Sequence, residues 1–204
     1  MSGEEKGRSE FALIADLFSP LAKGAAGALS LLDDAALIDV PPGHQIVAAA
    51  DALIAGVHFR EDDPPDLVAR KALRVNLSDL AAMGARPVGF LQTLALSLTT
   101  DDVYLEKYAG GLDQDIKRFG IPLLGGDTTT GPGPFSISIT VLGAVEKGRA
   151  LLRSGARPGD VLCVTGCIGD GALGQVGQGG VPGVAVWAEP YHQGLAEGGQ
   201  HRAG

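Results

Sequence analysis

Acidic residues beside or inside apolar segments are the first feature of this sequence that suggests chemistry. An isolated buried carboxylate is costly unless it is paired, hydrogen-bonded or bound to a cation. Magnesium takes oxygen ligands and is typically held by a few carboxylates together with substrate phosphates. Several such carboxylates in one acidic chain therefore suggest shared cations. The candidates are Asp33, Asp34, Asp51, Asp79 and Asp127.

Most of these carboxylates also have an ordinary structural explanation. Asp33 and Asp34 fit a solvated turn or a helix cap, and Asp51 fits the end of a strand at the surface. Asp79 lies three residues after Asn76, and a polar stripe with that spacing is usually the solvated side of a helix. Both interpretations stay open for these four residues.

Asp127 is the strongest single candidate, because it follows Gly125 and Gly126 after a predicted strand. Glycines let the backbone approach a phosphate closely, and the carboxylate could then hold a metal ion bound to that phosphate. The chain has no G-x-x-x-x-G-K-[ST] motif, which argues against a P-loop kinase.

Other polar residues carry less information. His58 is a lone histidine, which is more often structural than a ligand, and Arg153 fits either a surface charge or a fork for a phosphate. Cys163 and Cys167 have no second cysteine pair, so we interpret them as core or turn residues rather than a zinc site.

Composition limits the classes of protein to consider. The 204 residues are 45% apolar and carry a formal net charge of −8, whereas nucleic-acid binders usually have a basic balance. No apolar run approaches the ~20 residues that span a bilayer. The charged N-terminus and the two cysteines predict a cytoplasmic protein without a secretory signal.

The hydrophobic pattern predicts elements of both kinds, in mixed order. Residues 135–145 alternate isoleucine and valine with serine and threonine, which is typical of a strand with one buried face. The order of elements favours an α+β fold with a mixed sheet packed by helices over a doubly wound parallel sheet. The pattern predicts helices over residues 11–18, 66–83 and 101–119, and strands over residues 36–40, 46–54, 88–98, 121–124, 135–145 and 161–165.

Six segments in order resemble the thiamine-monophosphate kinases of the aminoimidazole-ribonucleotide-synthetase-like superfamily. The most specific is residues 71–85, KALRVNLSDLAAMGA. The resemblance runs over residues 10–174 and predicts the N-terminal domain of that superfamily's fold. The other segments are residues 10–14, 33–37, 51–59, 124–129 and 148–160.

This resemblance implies ATP-dependent phosphorylation of thiamine monophosphate to thiamine diphosphate by a homodimer, with magnesium ions neutralising the phosphate oxygens. No residue is assigned as catalytic, and the charge balance and the short apolar runs predict no nucleic-acid or membrane partner. Gly126 and Asp127 would meet the ATP phosphates, Arg153 would contact ATP, and His58 would contact the phosphate of thiamine monophosphate. The implied magnesium ligands are Asp34, Asp51, Asp79 and Asp127.

The sequence departs from the family pattern in three places. Leu32 stands where the family has glycine, and Ala49 and Ala50 stand where it has two hydroxyl residues that bind magnesium. Beyond residue 174 nothing resembles the family's second half, as a frameshift would produce. We therefore expect residues 1–148 to form the ATP- and magnesium-binding and dimerisation domain, residues 149–174 to begin a C-terminal domain that is largely missing, and residues 175–204 to be non-native or disordered.

Three functional interpretations follow. The first is a kinase of this family, with little or no activity in this chain. The second is a non-catalytic nucleotide-binding or dimerisation remnant. The third is another synthetase of the same superfamily.

Overall fold

The structure, a computed structural model, describes residues 8–161, and these residues divide into two units after Leu152. The first unit contains all the helices and strands named below, and a short 3₁₀ turn, Arg153–Gly155, lies in the second. The α-helices are α1 (Glu10–Leu13), α2 (Pro65–Ala82) and α3 (Asp102–Phe119), and the strands are β1 (His44–Ile54), β2 (Arg86–Ser97), β3 (Leu123–Gly131) and β4 (Ser136–Glu146).

The four strands form one mixed sheet in the order β1-β4-β2-β3. Strand β4 pairs antiparallel with both β1 and β2, while β2 and β3 are parallel. This architecture confirms the predicted α+β class and the mixed sheet packed by helices. The predicted helices over residues 66–83 and 101–119 are confirmed as α2 and α3, and three of the predicted strands are confirmed as β1, β2 and β4.

The predicted strand over residues 36–40 is wrong. This segment belongs to no strand, and Leu37 is 66% exposed. Its backbone is tied instead to the preceding segment, where Leu37 N donates a hydrogen bond to Gly27 O over 2.8 Å. An apolar run forms a strand only where another strand offers it a ladder of hydrogen bonds, and no strand within residues 8–161 pairs with this one.

The strand predicted over residues 121–124 is longer than expected. It begins at Leu123 and continues to Gly131, because residues 125–131 pair with β2 in parallel register. Asp127 therefore lies inside the strand, opposite Thr93, and not in a loop after it. The predicted strand over residues 161–165 and both cysteines lie outside the described residues, apart from Val161.

Helices α2 and α3 cover one face of the sheet and enclose the main core. Phe90, Ile139 and Val141 point into it from the strands, and Leu73 and Leu112 meet them from the helices. All five are fully buried. The opposite face is partly covered by the segment that follows α1. That segment is a π-helical turn, Ile14–Phe18, followed by two 3₁₀ segments, Ser19–Ala22 and Ala26–Leu31.

The two long helices are joined by a buried ion pair. Arg74 of α2 donates two hydrogen bonds to Asp115 of α3, over 2.6 and 2.8 Å, and Arg70 Nε lies 3.5 Å from the same carboxylate. Asp101 is the N-cap of α3, and its side chain accepts a hydrogen bond from Tyr104 N. Within residues 8–161, no helix has both the length and the apolar character needed to cross a membrane.

Candidate functional site

Polar side chains line the sheet face that α2 and α3 leave uncovered. Thr93 of β2 pairs with Ser138 of β4 on one side and with Asp127 of β3 on the other. Residues directly opposite each other in a sheet point to the same face. Gln92, the neighbour of Thr93, is buried beneath the helices and accepts a hydrogen bond from Tyr108 Oη, so Thr93, Ser138 and Asp127 lie on the opposite face.

A cavity of about 500 Å³ lies between this polar face and the segment after α1. Asp33 and Asp34, which follow that segment in the chain, line the cavity on one side, and Asp127 lines it from the edge strand β3. Asp127 Oδ1 accepts a hydrogen bond from Thr128 N over 2.9 Å, which orients the carboxylate. The lining also includes the hydroxyl residues Thr93, Thr128, Ser138 and Thr140 and an apolar group formed by Ile14, Phe18, Leu31 and Ile38.

Asp33 and Asp34 come just after a strained stretch of backbone. Leu29, Ser30 and Leu31 all have positive φ angles, of 50°, 58° and 57°. The left-handed conformation costs a residue with a β-carbon about 1–2 kcal/mol. The surrounding packing must therefore hold this stretch in place beside the cavity.

The other two predicted metal ligands lie away from this cavity. Asp51 pairs with Ile139 of β4, a residue of the helix-covered face, so it lies on the side of the sheet opposite Asp127. Asp79 is exposed on α2, one turn after Asn76. Within residues 8–161, no three acidic, histidine or cysteine side chains are grouped closely enough to hold one metal ion. The structure thus brings Asp34 and Asp127 to one cavity, and the four-carboxylate ligand set stays a prediction.

Asn76 has a role that the sequence did not indicate. The residue is fully buried, and its Oδ1 accepts a hydrogen bond from Asp51 N over 2.9 Å while its Nδ2 donates to Ala72 O. It therefore satisfies a backbone N–H of the edge strand β1. Its burial rules out, for Asn76, the interpretation of this stripe as the solvated side of α2.

Gly126 lines the cavity beside Asp127, but its lack of a side chain also has a packing reason. A β-carbon at this position would lie 1.8 Å from Gln92 O of the neighbouring strand. Glycine is therefore required for the pairing of β2 and β3. Its predicted contact with phosphate stays a prediction.

His58 lies in a tight turn between β1 and α2. Its ring Nδ1 accepts a hydrogen bond from Ile54 N over 3.1 Å, so the neutral imidazole carries its proton on Nε2. Gly56, with a φ of 78°, allows the turn. The His58 side chain is exposed, and its predicted contact with the substrate phosphate stays a prediction.

Lys71 is a further charged residue at this turn, and the sequence reasoning missed it. Its Nζ donates a hydrogen bond to the His58 carbonyl oxygen. Burial lowers the pKa of the Lys71 ammonium, while the charge of Asp63 opposes that shift. The one indication in the sequence was that Lys71 begins segment 71–85, the most specific of the segments that resemble the family. Arg153, the remaining predicted residue, is exposed on the 3₁₀ turn of the second unit.

Comparison with known proteins identifies the family. A family model described as AIR synthase related protein, N-terminal domain, matches residues 32–145, which is more than half of the chain. The chain belongs to this family. Membership in the AIR synthase related family confirms the superfamily resemblance inferred from the sequence motifs.

Within this family, the chain is similar to thiamine-monophosphate kinases. It is 48% identical over 172 residues to the thiamine-monophosphate kinase of Caulobacter vibrioides, a match that covers 84% of this chain and 49% of the relative. The chain spans about half the length of the curated relatives it matches.

Solved structures show the same similarity. The thiamine monophosphate kinase of Aquifex aeolicus has a TM-score of 0.62 and 29% identity, covering 71% of this chain and 50% of that one. A complex of AaThiL with AMPPCP and TMP has a TM-score of 0.62 and 27% identity, covering 88% of this chain and 58% of the other.

Proposed function

We propose that this chain supplies the ATP- and magnesium-binding half of a thiamine-monophosphate kinase, which transfers a phosphoryl group from ATP to thiamine monophosphate. The observation that carries this proposal is the 48% identity to the Caulobacter kinase across 84% of this chain. The structurally similar AaThiL, solved with AMPPCP and TMP, supports the same pair of ligands.

The cavity on the sheet face that α2 and α3 leave uncovered suits this role chemically. Among the residues that the structure describes, its lining includes two neighbouring aspartates, a third from β3 and several hydroxyl groups, and no cysteine, histidine or cationic side chain. Oxygen donors of this kind are the ligands that magnesium prefers. A cavity with net negative charge does not suit a bare triphosphate, so a cation has to accompany the nucleotide.

We assign the proposed roles as follows. Asp34 and Asp127 would hold magnesium at the cavity, and Asp51 and Asp79 are proposed as further ligands on the family resemblance alone. Bound magnesium would neutralise charge on the phosphate oxygens during transfer. Gly126 would meet the ATP phosphates together with Asp127.

The remaining contacts concern ATP and the acceptor. Arg153 would contact ATP, and His58 would donate a hydrogen bond from Nε2–H to the phosphate of thiamine monophosphate. A phosphate oxygen of the acceptor then attacks the γ-phosphorus in line, and the bond from that phosphorus to the bridging oxygen of ADP breaks. We also propose, from the family resemblance, that the protein is a cytoplasmic homodimer.

Magnesium-dependent ATP binding is the direct test. Isothermal titration of the 204-residue chain with ATP, with and without magnesium, should show affinity that depends on the cation. Asp127→Asn should weaken the magnesium-dependent part by at least about tenfold, since even residues that merely support a metal ligand contribute about 10–100-fold. Asp113→Asn changes a partly exposed aspartate of α3 that is paired with Lys117; it is the matched control and should bind as the wild type does.

Formation of thiamine diphosphate then separates the first two functional interpretations, the kinase and the non-catalytic remnant. Product formed from ATP and thiamine monophosphate supports the kinase. Magnesium-dependent ATP binding without product would favour the non-catalytic nucleotide-binding remnant. Equal ATP affinity with and without magnesium would overturn the proposed site.

A further inference from the structure

Helix α2 passes beside the turn that carries His58, and Lys71 lies at that point. Its Nζ donates to the His58 carbonyl oxygen, and its side chain is only partly exposed. Fixing a long lysine side chain costs conformational entropy, and burial already disfavours its charge, as the lowered pKa of Lys71 indicates. A hydrogen bond to a carbonyl therefore has to offset both costs.

The backbone and ring of His58 are held from several directions. His58 N donates to Ile54 O over 2.9 Å, Ile54 N donates to the ring Nδ1 over 3.1 Å, and Lys71 holds the carbonyl oxygen. The next residue, Phe59, is buried against Phe135, with ring centroids 6.3 Å apart. Within residues 8–161 the Nε2–H of His58 donates no hydrogen bond, so it remains as a donor for a ligand.

We propose that Lys71 is a positioning residue for His58. Its ammonium fixes the turn so that the imidazole keeps the Nε2–H tautomer and presents this donor to the phosphate of thiamine monophosphate. The inference rests on the proposed function, in which His58 contacts that phosphate. Lys71 acts through His58 and not on the phosphate itself, because its ammonium is partly buried and already bonded to the turn.

The first experiment needs no ligand. The ¹⁵N chemical shifts of the imidazole ring in the 204-residue chain identify the tautomer of His58, with His58→Gln to assign the signal. Wild type should show the Nε2–H tautomer, and Lys71→Met should show a mixture of tautomers. Lys107→Met removes an exposed ammonium from α3 and should leave the signal unchanged. A fully retained Nε2–H tautomer in Lys71→Met, with an unchanged circular dichroism spectrum, would overturn the proposal.

The second experiment is a double-mutant cycle on the binding of thiamine monophosphate. Lys71→Met should weaken binding about tenfold, the loss expected when one hydrogen bond to a charged group is misplaced. In a His58→Ala background the same change should cause no further loss, because interacting residues are not additive. Lys71→Arg keeps a cationic donor and should restore most of the affinity.

The cycle separates failure of this inference from failure of the proposed function. Additive losses would mean that Lys71 contacts the phosphate directly, and the positioning role would be refuted. If His58→Ala binds thiamine monophosphate as the wild type does, the substrate role proposed for His58 is wrong, and with it the role of Lys71 in binding. The tautomer measurement would still report whether Lys71 holds the turn.

Discussion

The buried ion pair between α2 and α3 offers the sharpest test of how this fold is stabilised. The side chain of Asp115 is 1% exposed and that of Arg74 is 8% exposed. Asp115→Asn keeps the shape of the side chain but removes its charge, and the guanidinium of Arg74 stays buried. Losing one charge of a buried pair costs about 3–5 kcal/mol, because the remaining charge is still desolvated.

This cost is a large fraction of the total stability of a typical domain, about 5–15 kcal/mol. For a chain of this size, each 1 kcal/mol lowers Tm by about 2–4 °C, so Asp115→Asn should lower Tm by about 6–20 °C. Urea unfolding followed by circular dichroism gives the same free energy independently.

The matched control lies two residues earlier on the same helix. Asp113 forms an exposed pair with Lys117 at a spacing of four residues, and such pairs contribute only about 0.3–0.5 kcal/mol. Asp113→Asn should therefore change the unfolding midpoint little. If the two variants unfold at the same urea concentration, the buried pair contributes no more to stability than the exposed pair does.

Three further predictions follow from local geometry. Gly111→Ala should destabilise the fold by about 1–3 kcal/mol, because the new β-carbon would lie 2.3 Å from Asp66 O of α2. At the neighbouring position a new β-carbon meets no atom within 4 Å, so Gly110→Ala should stabilise α3 by about 0.5–1 kcal/mol. Equal effects of the two variants in urea unfolding would contradict the close packing at Gly111. Ser30→Gly should raise the free energy of unfolding by about 1 kcal/mol by relieving the left-handed backbone, and an unchanged or lower value would argue against strain there. Burial raises the pKa of Tyr104 to about 12, so a spectrophotometric titration should show a tyrosinate step near that pH that Tyr104→Phe removes. Because the chain has three tyrosines, the expectation is refuted if Tyr104→Phe instead removes a step near the ordinary value of about 10.

The Tyr104 shift also predicts how stability depends on pH. The folded state binds this proton more tightly than the unfolded state, whose tyrosine has a pKa of about 10. The stabilisation is therefore complete below about pH 10 and declines as pH rises towards 12. Tyr104→Phe should flatten this decline in unfolding measurements.

Much of the fold follows from contiguous residues. The alternation in residues 135–145 predicted β4 and its buried face, and the Asp101–Gly120 boundaries of α3 agree with an N-cap and a left-handed glycine C-cap. Such patterns are carried by neighbouring residues, so they can be recognised without knowing the rest of the molecule. The family resemblance rests on the same kind of local information.

The candidate site depended on contacts between distant segments. Sequence patterns alone indicated that Asp34 and Asp127 could bind cations, but the pairing of β3 with β2 placed Asp127 within a strand and on the open face. The pairing of β1 with β4 placed Asp51 on the other face. Side-chain direction in a sheet alternates at every residue, so register decides which residues share a face.

What the sequence by itself determined was the class of fold, the position of most helices and strands, and the chemistry available in each segment. Only the tertiary structure decided that residues 36–40 form no strand, that Asn76 is buried against β1, and that Lys71 holds the His58 turn. The physical reason is that a hydrogen-bond partner or a burial site is supplied by residues far away in the chain. The periodicity of apolar residues indicates which secondary structures a segment can form, and tertiary packing decides which of them gives the folded protein its lowest free energy.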